Sequence, residues 1–238
     1  MIVAGKVALV SGASSGIGMA LVRMLAQKGA RVALAARTGT VLETLAGELG
    51  GALALETDMR DADAVRRMVM ETHRHFGHID VLVNNAGRAM HGPLMDADLD
   101  EYRDLLNLNV VGALQAMQLA APLMREHGGG VIVNVSSGTT LRTLPGVGPY
   151  SSSKHALNNL SQVARAELAP DNIRVCLVYP FITDTNFGGG RVGHTSRSGM
   201  VPDTAEYAAG LVLEAIETEN AETFAAKTGG WRTDRPIA

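Results

Sequence analysis

The chain has 238 residues, of which 46% are hydrophobic and 19% charged, with a net charge of −3. That composition fits one globular α/β domain with a real core, and a near-neutral chain without runs of like charge excludes an electrostatic nucleic-acid binder. No apolar stretch approaches the roughly 18 residues that span a bilayer. Met1–Val10 reads as a first strand, not a signal peptide. The single cysteine, Cys176, cannot form an internal disulfide; its apolar neighbours make it a buried core thiol, which fits a reducing cytoplasm.

In chain order, Lys6–Ser11 is a short apolar run, followed by glycines and a helical pattern over Ile17–Gln27. Arg31–Ala36 reads as a second strand, Val41–Leu49 as a helix, Ala52–Glu56 as a third strand and Ala62–Phe76 as an amphipathic helix. Ile79–Val83 is a fourth strand; Leu99–Met124 has helical periodicity in two pieces and stops at Gly128-Gly129-Gly130. Val131–Val135 is a fifth strand, Tyr150–Ala169 a helix, Ile173–Val178 a sixth strand and Asp203–Glu217 a late helix. Strands this apolar are buried on both faces. The βα alternation predicts a single-domain, doubly wound Rossmann fold over 1–238, with a parallel sheet of about seven strands and helices on both faces. No repeat or linker interrupts it. The segment 186–200, rich in Gly, Ser and Thr, reads as a lid over a site.

Three motifs carry chemistry. Ser11-Gly12-Ala13-Ser14-Ser15-Gly16-Ile17-Gly18 follows a strand and opens a helix, the context of a phosphate-binding turn, although a ligand-free turn has the same glycines. Tyr150 and Lys154 stand one helical turn apart, so both leave one face of the helix. An ammonium beside a phenol is expected to lower the phenol's pKa, which suits acid–base work at an oxygen. Such a pair also occurs on plain helix surfaces. Ser136 and Ser137 end the fifth strand, and Asn109 lies in the long helical region.

Taken in order, these motifs resemble the short-chain dehydrogenase/reductase family, in its single-domain branch. The resemblance runs from about Lys6 to Thr185 and rests on Gly12, Gly16 and Gly18, on Asn84-Asn85-Ala86-Gly87, on Asn109-Val110-Val111-Gly112, on Asn134-Val135-Ser136-Ser137 and on Tyr150 with Lys154. It implies hydride transfer between a nicotinamide dinucleotide and a carbonyl or secondary alcohol. Tyr150 would be the acid/base, Lys154 would tune it and bond the nicotinamide ribose, Ser137 would hold the substrate oxygen, and Asn109 would hold a water that links Lys154 to solvent.

The cofactor residues follow by position. No Asp or Glu lies between Arg31 and Glu43, where NAD sites place an acid for the ribose 2′-OH; Arg37, with Thr38, can instead pair with a 2′-phosphate. NADP is therefore expected over NAD, even though Ser14 and Ser15 stand where NADP-binding relatives often carry a basic residue. Ile17 would support the pyrophosphate turn. Asp58 would meet the adenine amino group with Met59 beside it, and Asn85, Ala86 and Gly87 would line the adenine-ribose side. Beyond the sixth strand, Pro180, Thr183 and Thr185 would approach the carboxamide, with Phe181 where the family usually has glycine. The ending Thr228-Gly229-Gly230-Trp231 keeps two glycines of a family segment that packs at a subunit interface, so a homodimer or homotetramer is expected.

His73, His75 and His78 read as a solvated helix end, and no metal site is expected; His91 and His194 are candidates for substrate contact. Leu141, Leu144, Val147, Phe181 and Phe187 suggest an apolar pocket, and Arg142, Arg191 and Arg197 either bind an anionic group or face solvent. Two alternatives stand beside the NADP-linked reading. One is an NAD-dependent alcohol dehydrogenase; the other is a dinucleotide-binding sensor or scaffold without turnover.

Overall fold

The computed structural model describes residues 1–185, 187 and 201–229. Among them, seven strands form one sheet: β1 (Val7–Ser11), β2 (Arg31–Ala36), β3 (Leu53–Glu56), β4 (Val81–Asn84), β5 (Gly130–Val135), β6 (Ile173–Tyr179) and β7 (Glu222–Phe224). The helices are α1 (Gly16–Gln27), α2 (Gly39–Glu48), α3 (Ala62–Phe76), α4 (Leu99–Leu106), α5 (Gly112–Glu126), α6 (Gly148–Leu168), α7 (Ala205–Thr218) and the short α8 (Ala226–Gly229). Strand order is β3-β2-β1-β4-β5-β6-β7, and every neighbouring pair is parallel.

The strands read as unbroken apolar runs because each feeds two cores with a period of two. Ala8, Val10, Val32, Leu34, Val81, Val83, Val131 and Val133 pack with residues of α1, α2 and α7 on one face. Leu9, Ala33, Ala35, Leu82 and Ile132 pack with residues of α3 and α5 on the other. Cys176 lies fully within the first core, and burial pushes its thiol up to about 11.

Two details depart from the sequence pattern. The helical region beginning at Leu99 is not broken between its two pieces. A π-helical turn over Asn107–Val111 joins α4 to α5 and sets Asn109 inward, with 1% exposure. Strand β7, only three residues long, was too short to declare itself by periodicity.

The chain winds outward from β1 to β3, then returns to β4 on the other side of β1, so a crevice opens at the carboxyl ends of β1 and β4. Just below it, buried side chains tie β4, β5 and α6 together. Asn84 Nδ2 donates to Asn134 Oδ1 at 2.8 Å, and Asn134 Nδ2 donates to Ser161 Oγ at 2.7 Å. Truncating Asn134 leaves both neighbours without these bonds in a dry interior. Asn134→Ala is expected to lower the unfolding free energy by about 2–4 kcal/mol, read as a shifted midpoint in urea titration.

Candidate active site

β1 delivers the chain into the crevice at Gly12. Its φ is +69°, and a Cβ there would stand 2.8 Å from Asn85 Nδ2 and 2.9 Å from Ala86 Cα. At Gly18 a Cβ would lie only 2.2 Å from Gly12 O. Only glycine lets the turn fold this tightly under α1. Asn85 braces the turn from β4: its Nδ2 donates to Ser11 O at 2.9 Å and to Gly12 O at 3.2 Å. Ser11 Oγ in turn accepts from the backbone N–H groups of Asn85 and Ala86, both at 3.1 Å. The side chain of Asn85 is thus committed to shaping the turn.

Helix α1 begins at Gly16 with Ser15 as its N-cap, without a side-chain capping bond and without an acidic residue in its first turn. Its free N–H groups and positive dipole end therefore face the crevice unopposed, the condition an anionic pyrophosphate requires. Ser14, Gly16 and Ile17 are half-buried along this turn and Ser15 is exposed. Thr185 reaches the turn from beyond β6, its methyl carbon 2.9 Å from where a Gly16 Cβ would stand.

Arg37 and Thr38 are exposed at the end of β2. Asp58 is engaged by a residue the motifs did not flag. Arg60 donates through Nε to both carboxylate oxygens at 3.0 and 3.1 Å, through Nη2 at 2.5 Å, and through Nη1 to Asp104 at 3.0 Å. The Arg60 hydrogen bonds hold the Asp58 carboxyl below its ordinary value, and the charge of Arg37 adds to the effect. Met59 is buried, with its carbonyl against Gly112.

Ser137 at the end of β5, Tyr150 and Lys154 on α6, and Asn109 in the π-helical turn converge beside this crevice. Ser137 Oγ accepts from Thr139 N at 3.2 Å and Thr139 Oγ1 at 3.0 Å, and its hydroxyl acts on the Tyr150 phenol so as to favour the ionised form. Asn109 is clamped on three sides. Its Nδ2 donates to Arg88 O and Ser153 Oγ, and its Oδ1 accepts from Arg88 N, all at 3.0 Å. Ser153 Oγ passes the connection on to Tyr150 O at 2.7 Å. Gly87 borders both polar groups: a Cβ there would be 3.0 Å from Asn109 Oδ1 and 3.6 Å from Lys154 Nζ. The Tyr150 ring meets Phe187 edge-on at 5.7 Å.

The expected lowering of the Tyr150 pKa is reversed. Burial pushes the phenol up to about 12, and the Ser137 hydrogen bond only partly opposes it. Lys154 shares the face, as its spacing required, but its ammonium donates to Val135 O at 2.8 Å, and burial lowers it to about 8. Dehydration sets the direction of the shift, and the lysine, engaged at Val135 O, does not reverse it.

Beyond β6, Pro180 O accepts from Gly138 N at 3.0 Å. Phe181, in the place of the expected glycine, is buried in the core shared with α7, so the departure fills packing space. Thr183 Oγ1 donates to Phe181 O at 2.9 Å, so its hydroxyl is engaged within the chain. Thr185 Oγ1 accepts from Phe187 N at 3.3 Å. His91 is exposed. Of the expected lid, only Phe187 lies among the described residues; His194, Arg191, Arg197 and the terminal Gly230-Trp231 lie outside them.

The short chain dehydrogenase family model matches residues 6–192. The chain is 37% identical over 207 residues to an uncharacterized oxidoreductase of Methylorubrum extorquens, covering 84% of this chain and 83% of that protein. It is 34% identical over 235 residues to a 3alpha-hydroxysteroid dehydrogenase of Mediterraneibacter gnavus, covering 95% of this chain and 91% of the relative. A crystal structure of 3-ketoacyl-(acyl-carrier-protein) reductase from Brucella melitensis complexed with NADH superposes with a TM-score of 0.86 at 26% identity, covering 95% of this chain and 99% of the other.

Burial of Lys154 sets the sign of a pH effect on stability. The folded ammonium loses its proton near about 8, whereas the unfolded one holds it to its ordinary 10.5. Between those values the unfolded state binds more protons, so this group's contribution to stability rises with pH. The difference in thermal midpoint between wild type and Lys154→Met is expected to move in favour of wild type as pH rises from 8 towards 10. A flat difference would contradict the assignment.

Proposed function

The chain belongs to the short-chain dehydrogenase/reductase family, and from that membership we propose that it transfers hydride between NADP(H) and a carbonyl/secondary alcohol pair, with Tyr150 as the acid/base. It is an NAD(P)-dependent oxidoreductase acting on CH–OH donors. The observation that carries the finer reading is the cluster of buried Tyr150, Lys154 and Asn109 with half-buried Ser137, set beside a glycine turn and an uncapped helix N-terminus. A dinucleotide fits that turn, because Gly12 and Gly18 leave backbone where no side chain has room. When bound, its nicotinamide supplies or accepts the hydride.

The chain's own residues then handle the oxygen and its proton. Ser137 Oγ hydrogen-bonds the substrate oxygen and stabilises the charge that develops there. Tyr150, kept neutral by burial through the physiological range, gives its phenolic proton to that oxygen during reduction. Lys154 would bond the nicotinamide ribose, and Asn109, held by Arg88 and Ser153, would hold the water through which the proton is replaced. Phe187, edge-on to Tyr150, supplies apolar surface beside the reacting group. Exposed Leu99, Val111 and Val163 on and between α4 and α6 suit a homodimer or homotetramer formed by helix pairing. The cytoplasm is the proposed compartment.

NADP(H) is preferred in this reading because Arg37 stands exposed at the end of β2, where an NAD site carries an acid. One observation favours NAD instead. The Glu56 carboxylate lies 2.6 Å from where a Cβ on Gly39 would stand, which puts a negative charge next along the chain from Thr38, where it would disfavour a 2′-phosphate. The Brucella reductase, for its part, is complexed with NADH.

A carbonyl panel assayed with NADPH and NADH tests both points. Arg37→Ala is expected to cut kcat/KM with NADPH about 10–100-fold and leave NADH nearly unchanged, while Glu56→Gln improves NADPH. Preference for NADH with no response to Arg37→Ala refutes the NADP assignment. Tyr150→Phe is expected to lower turnover about 10²–10⁴-fold with nucleotide binding retained; undiminished turnover refutes the acid/base role.

A further inference from the structure

At the opposite end of the sheet, we propose that His78, Asp80 and His127 form a binding site for a divalent transition-metal cation of the Zn²⁺ type. One ligand atom from each residue lies within 4.8 Å of the other two. His78 and Asp80 lead into β4, and His127 is the C-cap of α5. The sequence hid this group. His78 stands near His73 and His75 along the chain, but those two belong to the last turn of α3, whereas His78 lies beyond the helix cap at Gly77 and meets His127 from far along the chain.

Asp80 anchors the group. It is 3% exposed, its Oδ2 accepts from Val7 N at 2.8 Å, and its Oδ1 accepts from Lys6 Nζ at 2.9 Å. His78 Nε2 lies 3.1 Å from Oδ2. The two imidazoles stack at 4.2 Å with planes 16° apart. A cavity of about 240 Å³ lined by Asp80, His127, Asn172 and Glu219 adjoins the group and has room for water to complete the coordination.

The donor set selects the metal class. Two imidazole nitrogens with one carboxylate oxygen suit Zn²⁺, Co²⁺ or Ni²⁺, whereas Mg²⁺ and Ca²⁺ prefer all-oxygen shells. Bonds of about 2.1 Å in a tetrahedral shell place donor atoms roughly 3.4 Å apart, so the three must draw together. His127 is exposed, and its ring would have to turn out of the stack with His78 to do so. Arg31 Nη2, 3.3 Å from His78 Nε2, is also exposed and would have to swing away, while Lys6 keeps Oδ1 and Oδ2, which accepts from Val7 N, would offer its other lone pair to the metal. The bound ion would pin the start of β4 to the α5–β5 turn, at the end of the sheet away from the crevice. It is therefore expected to raise stability without changing turnover.

Co²⁺ titration of the full chain, stripped with chelator, tests the site by visible absorption and calorimetry, with Zn²⁺ thermal shifts alongside. Wild type is expected to bind a single equivalent with the intense visible bands of a four-coordinate ion, and to melt higher with Zn²⁺. His127→Ala, at an exposed position outside the core, is expected to weaken binding at least about tenfold and to lose the thermal shift, while His75→Ala changes neither. Equal affinity in His127→Ala and wild type, or only the weak bands of the hydrated ion, would overturn the proposal.

Discussion

A phenol and an ammonium held nearly out of water at the end of a parallel sheet impose the constraint around which the neighbouring residues are arranged. Tyr150 is 8% exposed and Lys154 4%. Removing polar and charged groups from water is costly unless each finds partners. Lys154 finds the carbonyl of Val135, and the Ser137 hydroxyl offsets part of the cost of burying the Tyr150 phenol. Asn109 is fixed by both backbone groups of Arg88 and by Ser153, so it cannot turn to compete for either. The result is a dry pocket in which the phenol stays neutral and the ammonium is poised to lose its proton.

The sheet makes this arrangement possible. Reversal of the winding direction between β1 and β4 leaves a gap above their carboxyl ends, and the chain fills its floor with hydrogen bonds rather than bulk. Ser11, Asn85 and Ala86 lock the glycine turn, and Asn84, Asn134 and Ser161 lock the strands below the catalytic group. Each brace joins segments that are remote in sequence. The crevice is thus braced by the chain's own hydrogen bonds, which favours binding with little reorganisation.

What the sequence could reveal depended on whether the relevant physics is local. The strands were legible because burial on both faces makes them uniformly apolar; Gly12 and Gly18, and Tyr150 and Lys154, stood out because a turn or a helix sets their spacing, whereas Ser137 joined them only through the family resemblance. The direction of the Tyr150 shift was not legible, since spacing reports proximity and not dehydration. The Arg60 bridge from Asp58 to Asp104, the Glu56 carboxylate against Gly39, and the meeting of His78 with His127 all join residues that only the fold brings together. The π-helical turn at Asn109 escaped for a related reason: one extra residue per turn scarcely disturbs helical periodicity.

Ultraviolet difference titration of wild type against Tyr150→Phe isolates one phenol among the four tyrosines. If burial governs the site, Tyr150 remains protonated past the ordinary phenol value of 10.0 in the nucleotide-free protein, towards about 12. Adding NADP⁺, whose nicotinamide ring is cationic, lowers that value. Ionisation of Tyr150 at or below pH 10 without nucleotide would contradict the account, because the lysine and not dehydration would then control the proton.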